Sequence, residues 1–289
     1  MVEEVLGGLN IRPERLYVDG TVGEGGHAEA ILRRTSQRGE LWGLDRNPMV
    51  LQVAAGRLAP FTSRFRLMHA SFARLGELLA ARTPPRTAGI LLDLGLSLYL
   101  LRRSGRGFSF QEDEPLDMRL DPTAPGPTAR QLLQDSSREE LERIFREYGE
   151  EPQARRLARV LVEGRRRRPL ATTAHLVQVV QETLGSGRRG RHHPATRVFQ
   201  ALRLAVNREL EELEAFLEGA PTWLEPEGRL VIISYHSLED RMVKQRFLSW
   251  ERAGLMVRLG RKPLTPTPAE VARNPRARSA KLRVAEKIS

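Results

Sequence analysis

The sequence predicts an α/β protein: a mainly parallel sheet, covered by helices on both faces and interrupted by a helical insertion. Three observations carry this. Short apolar runs alternate with helical patterns through the first hundred residues, as βαβ units require. From Leu98 to about His193 strand signals disappear. A strong strand pattern then returns at Gly228-Arg229-Leu230-Val231-Ile232-Ile233-Ser234-Tyr235, so the sheet resumes. The expected organisation is a core of residues 1–97 with 194–289 and a helical insertion of residues 98–193.

The first four strand runs are 16–18, 41–44, 65–68 and 89–92, with helical patterns at 28–34, 47–58 and 71–81. Each strand ends at a polar residue: Asp19, Asp45, His69 and Asp93. Ligands of such sheets bind outside the carboxyl ends of the strands, so these four ends are expected to converge on one crevice. In the insertion, turn-rich segments 103–108 and 121–127 precede helical stretches at 128–134, 137–147, 152–163 and 172–184, and 186–191 reads as a return loop. Val198, Leu202, Ala205, Leu210, Leu213 and Leu217 recur near every 3.6 residues and predict one long amphipathic helix. A helix at 236–250 and late strands at 255–259 and 281–285 complete the reading.

Between the first strand and its helix lies Gly20-Thr21-Val22-Gly23-Glu24-Gly25-Gly26-His27. Glycines here let backbone amides approach a ligand closely. Asp45 stands 20 residues after Gly25, where a nucleoside-binding α/β domain places a carboxylate on ribose hydroxyls. The pairing points to an adenosine-containing cofactor. Residues 23–28 also fit G-x-G-x-x-A, so a nicotinamide-dependent oxidoreductase is an alternative.

With 289 residues, 40% apolar and 29% charged, the composition is that of a soluble globular protein. No run approaches the ~18 apolar residues of a membrane span. The start Met1-Val2-Glu3-Glu4 is acidic rather than a basic signal region; the expectation is a cytoplasmic protein with no membrane partner. The absence of cysteine excludes disulfides, thiolate metal sites and a thiol nucleophile. No carboxylate cluster surrounds the His192-His193 pair, so no metal is expected. The net charge of +11 is uneven: residues 164–197 hold eight arginines against Glu182, and 272–289 hold six basic residues against Glu286. Charge this dense attracts phosphate backbones.

The chain resembles the bacterial RsmH (MraW) family of S-adenosylmethionine-dependent methyltransferases, essentially end to end. The residues that carry the resemblance include the turn at 18–27, Gly43-Leu44-Asp45, Arg106-Gly107-Phe108-Ser109-Phe110, Pro115-Leu116-Asp117-Met118-Arg119, Tyr148-Gly149-Glu150-Glu151, His193-Pro194-Ala195-Thr196-Arg197 and Ser234-Tyr235-His236-Ser237-Leu238-Glu239-Asp240-Arg241. The resemblance implies a Rossmann-like class I methyltransferase sheet with a helical, substrate-recognising insertion. It also implies S-adenosyl-L-methionine as cofactor and methylation of N4 of a cytosine in the decoding region of small-subunit (16S) ribosomal RNA. The partner is then that RNA or the assembled small ribosomal subunit; the oligomeric state is left open.

Beside this resemblance, Gly25, Gly26 and His27 are expected at the methionine part of the cofactor, Asp45 at the ribose, Phe72 beside the adenine and Asp93 at the cofactor. An exocyclic amine with a delocalised lone pair needs hydrogen-bond acceptors around it. The segment Asp93-Leu94-Gly95-Leu96-Ser97 stands where amino-methyltransferases place them, which makes Asp93 and Ser97 catalytic candidates. Tyr235 and His236 follow the fifth strand, Tyr235 to pack under the base and His236 to contact it; equally, His236 and Ser237 cap a helix, with Ser237 as N-cap. Phe108, Asp117, Arg119 and Arg197 match family elements for substrate, although Phe108 and Phe110 also suit a small core of the insertion. The chain departs from the family pattern at Leu98-Tyr99-Leu100-Leu101, where Leu100 replaces a cofactor-contacting glutamine. A non-catalytic RNA-binding or ribosome-assembly factor is therefore the second alternative.

Overall fold

The computed structural model describes residues 1–167, 169–185 and 193–288. The 186–191 return loop, His192 and Arg168 lie outside the described residues. The chain divides into two compact units, Met1–Gly95 with Leu210–Ser289, and Leu96–Glu209.

In the first unit the described strands are β1 (Leu16–Asp19), β2 (Glu40–Asp45), β3 (Phe65–His69), β4 (Thr87–Asp93), β5 (Leu224–Ser234), β6 (Met256–Arg258) and β7 (Lys281–Lys287). They form one sheet of order β3-β2-β1-β4-β5-β7-β6. Strands β1 to β5 run parallel, and β7 pairs antiparallel with both β5 and β6. From β1 the chain builds outward to β2 and β3; from β4 it builds the other way, to β5. The strand order reverses between β1 and β4, and a doubly wound sheet opens its ligand crevice at such a point. The glycine-rich turn follows β1, and Asp93 ends β4.

The central strands are apolar on both faces because helices cover both. Alternation along each strand sorts the residues. Val18, Leu44, Ile90, Leu92, Leu230 and Ile232 pack under helices Glu209–Trp223 and Ser237–Arg252. Tyr17, Leu41, Leu91, Val231 and Ile233 pack on the other side with helices Gly26–Arg34 and Pro48–Leu58. A helix at Val2–Leu9 joins that second layer through Val5, Leu6 and Leu9. Sequence periodicity does not reveal it, because Gly7-Gly8 breaks the pattern.

The second unit is helical, with Leu98–Arg102, Ala129–Asp135, Arg138–Glu147, Ala154–Gly164, Thr173–Leu184 and Ala195–Asn207. Two of its helices start with reciprocal capping boxes, Thr128 with Gln131 and Ser137 with Glu140, each satisfying two orphan amides. The helix Ala195–Asn207 packs in this unit's core through Ala195, Val198, Phe199, Ala201 and Leu202. The expected boundary near residue 194 therefore moves to Glu209. The single long helix expected over 198–217 is two helices, broken at Arg208, whose φ of 51° is left-handed. Its apolar stripe divides accordingly: Val198 and Leu202 serve the insertion, Leu213 and Leu217 the sheet.

Phe216 is fully buried and stacks edge-on against both Phe72 and Trp223. Replacing Phe216 with alanine is expected to cost about 3–5 kcal/mol of stability, measured by urea denaturation, and to loosen Phe72.

Candidate active site

The site is built at the carboxyl ends of β1, β2, β4 and β5. The turn after β1 needs a left-handed residue before the helix Gly26–Arg34 can start: Gly25 is its N-cap, with φ 82°, a conformation glycine adopts without a Cβ penalty. Asp45 ties this turn to β2. Its Oδ2 accepts from the Gly23 amide at 3.0 Å and its Oδ1 from the Asn47 amide at 2.8 Å. Burial still pushes its pKa up to about 6.

Asp19, at the end of β1, is 1% exposed and accepts from the Thr21 amide at 3.2 Å. Burial raises its pKa to about 7, partly opposed by His27 and Thr21. Thr21 also reaches β4, its hydroxyl accepting from the Asp93 amide at 2.6 Å. His27 Nε2 lies 3.6 Å from Asp93 Oδ2. Burial opposes a charge on His27, but the carboxylates of Asp93 and Asp19 outweigh it, so its pKa is raised. Asp93 Oδ1 and His27 Nδ1 are buried with no hydrogen-bond partner. A buried polar atom left in that state is costly, and both lie where a ligand would satisfy them.

Tyr235 follows β5, and its hydroxyl hydrogen-bonds Asp93. Burial, with Asp93 and Glu239 nearby, raises its pKa far above the usual phenol range. His236 is the N-cap of Ser237–Arg252, with Nδ1 3.5 Å from the Glu239 amide and Nε2 3.0 Å from Glu239 Oε1. Ser237, expected as the cap, is instead the first helical residue. Phe72 stands on Phe216 with ring centroids 5.6 Å apart and is partly buried. Gly25, Gly26, His27, Asp45, Phe72, Asp93, Tyr235 and His236 thus all belong to the first unit, at the strand ends or in the turns that follow them.

The other candidates belong to the second unit. Ser97 caps the helix Leu98–Arg102, accepting from the Leu100 amide. Leu100 is 5% exposed and packs in the insertion's own core; an apolar side chain replaces the amide expected at the cofactor, and packing takes it up. Phe108 is buried in the same core, with the Arg106 guanidinium 5.6 Å from its ring centroid, the bland reading of that aromatic. Asp117 grips Arg119 with both oxygens, at 2.7 and 2.9 Å. Although burial opposes it, this pairing holds the Asp117 carboxyl below its ordinary range. Arg197 is 53% exposed, with Glu151 3.9 Å away. Phe110 stacks on His193 at 5.0 Å and meets Phe199 edge-on.

With the geometry in place, comparison with known proteins decides the family. The family model described as "MraW methylase family" matches residues 1–288. The chain belongs to the MraW methylase family. Its relatives include the "Ribosomal RNA small subunit methyltransferase H" of Geobacter sulfurreducens, 46% identical over 305 residues, covering 100% of this chain and 97% of that one. The protein of the same name from Symbiobacterium thermophilum is 43% identical over 304 residues, covering 100% and 95%. As a member of the MraW family the protein is a methyltransferase, which sets aside both the oxidoreductase and the non-catalytic alternatives.

Asp19 was legible only as a strand end. Its role shows in the burial beside His27 and Asp93, which no sequence pattern records. Its sign follows from linkage. The unfolded carboxyl titrates near 3.8 and the folded one near 7; the folded state holds its proton longer, so stability falls as pH rises from about 4 to about 7. Asp19→Asn should remove that slope. Between pH 5 and pH 8 the wild-type melting temperature is expected to fall further than the variant's, by at least the ~2–4 °C that about 1 kcal/mol produces in a chain of this size.

Proposed function

We propose that the protein transfers a methyl group from S-adenosyl-L-methionine to N4 of a cytosine in the decoding region of small-subunit (16S) ribosomal RNA. The observation that carries this is Asp93 at the sheet's switch point, its Oδ1 buried and unpartnered.

The residues fit the cofactor. The left-handed Gly25 brings the turn's backbone close, for the methionine part with Gly26 and His27. Asp45 takes the ribose and Phe72 borders the adenine. Three carboxylates, Asp19, Asp45 and Asp93, interact electrostatically within the site, which suits a cationic sulfonium. When bound, the cofactor supplies an already activated methyl group.

The protein's share is alignment and proton transfer. The cytosine amine is a weak nucleophile because its lone pair is delocalised into the ring. An acceptor on its N–H localises that pair. As nitrogen gains the methyl it must lose one proton, and Asp93 Oδ1 takes it. Methylation at ring C5 through a thiol adduct has no nucleophile here, since the chain contains no cysteine. His236 and Tyr235 follow the end of β5, beside β4, and Ser97 ends the segment that Asp93 begins.

The insertion recognises the RNA. Among its candidates Arg197 is the more open to phosphate, since Asp117 already occupies the fork of Arg119; Phe108 and the Asp117–Arg119 pair shape that surface. Arg165 is not part of it: its guanidinium donates to the Leu133 and Ser136 carbonyls at 3.2 and 2.7 Å and caps a helix end. Arg166 and Arg167 are exposed. Either free RNA or the assembled small subunit fits this chemistry, and either places the protein in the cytoplasm. No described helix is long and apolar enough to cross a membrane.

Single-turnover methyl transfer to small ribosomal subunits, with mass mapping of modified cytosines, tests the reading. Wild type is expected to place a methyl on a cytosine amine and Asp93→Ala to lose at least ~10²-fold in rate; a variant within a few-fold of wild type would remove Asp93 from catalysis. The double change Arg166→Ala with Arg167→Ala should weaken RNA binding without affecting cofactor binding. Its log–log salt dependence should flatten by roughly 0.7–0.9 for each phosphate no longer neutralised, measured by RNA titration at several salt concentrations.

A further inference from the structure

Tyr235 reads from sequence as a platform beneath the target base. The structure gives its two ends other tasks. The ring lies against Gly95: a Cβ there would come within 2.7 Å of Tyr235 Cε2, so only glycine admits the ring at that place. The backbone amide of Tyr235 donates to Glu239 Oε2 at 2.9 Å, fixing the start of the side chain. The hydroxyl is bonded to Asp93.

Asp93 is thereby held at three points. Its amide is on the Thr21 hydroxyl. Its carboxylate has Tyr235 as donor and His27 Nε2 3.6 Å from Oδ2. One oxygen, Oδ1, is left with no partner. We infer that Tyr235 is a positioning residue, whose hydroxyl fixes the Asp93 carboxylate so that Oδ1 is the atom left to receive the amine proton. The inference rests on Asp93 as acceptor. Asp93, Glu239 and Glu270 surround the phenol, while Asp93, Asp19, Glu270 and the chain's amino group surround His27. Acidic neighbours keep the phenol neutral, and so a hydrogen-bond donor, throughout the range in which Asp93 and His27 titrate.

Tyr235→Phe keeps the ring on Gly95 and removes only the donor. At saturating S-adenosylmethionine the single-turnover rate is expected to fall by about tenfold or more, while calorimetric affinity for S-adenosylmethionine changes by less than about twofold. The acidic limb of the rate–pH profile should move to higher pH, because a carboxylate that loses a donor is protonated more easily. In an Asp93→Ala background the same change should alter the residual rate by less than about twofold, since the two act as one unit. Gly95→Ala, which displaces the ring, should reproduce the slow rate with the cofactor still bound. A wild-type rate and pH profile for Tyr235→Phe, or additive losses in the double variant, would overturn the inference. Were Asp93→Ala itself to retain full rate, the acceptor reading would fall first; an inactive Asp93→Ala beside a fully active Tyr235→Phe rejects the Tyr235 inference alone.

Discussion

Strand β4 pairs in parallel with β1 on one side and β5 on the other, and the rest of the first unit depends on this. Parallel pairing requires each connection to cross back over a face of the sheet. The crossovers supply helices for both faces, and the two faces then bury the central strands. All strands from β1 to β5 consequently end at the same edge. The chain leaves β1 and β4 in opposite lateral directions, so their ends are not covered by a common connection. The glycine turn, Asp19 and Asp93 meet there for topological reasons.

That edge holds ionisable groups under conditions that disfavour their charge. Asp19 and Asp45 are pushed up to about 7 and about 6 by burial, despite accepting backbone amides. The neighbouring His27 moves upward too. A fold selected for stability alone would avoid such a cluster. Its persistence beside unpartnered polar atoms fits a site that becomes satisfied when a charged ligand enters.

The helical unit follows different rules. Its stability comes from caps and amphipathic packing, and several of its arginines are structural. Arg165 closes a helix end, Arg106 donates to the Arg119 and Leu120 carbonyls, and Arg119 is locked to Asp117. Dense positive charge in a sequence therefore overstates the number of side chains left for phosphate. The exposed Arg166, Arg167 and Arg197 are the ones whose donors are not drawn into the helical framework to the same degree.

Local patterns alone determined much of this protein. The alternation of apolar runs placed β1 to β5, the glycine turn and its spacing to Asp45 marked the cofactor side, and the cysteine-free composition removed thiol chemistry. These were legible because strand burial, left-handed turns and reactive groups depend on residue type and short-range spacing. Helix ends separated by one residue were not: the stripe from Val198 to Leu217 keeps its period across Arg208, and only the left-handed backbone there sends its halves to different cores. Nor could sequence show that Leu100 is absorbed by packing, that His236 rather than Ser237 caps its helix, or that Tyr235 spends its hydroxyl on Asp93. Each of these pairs a group with a partner or a neighbour chosen by three-dimensional proximity. Asp19 makes the distinction plainest: the sequence supplies a carboxylate at a strand end, and only burial beside His27 and Asp93 decides its protonation.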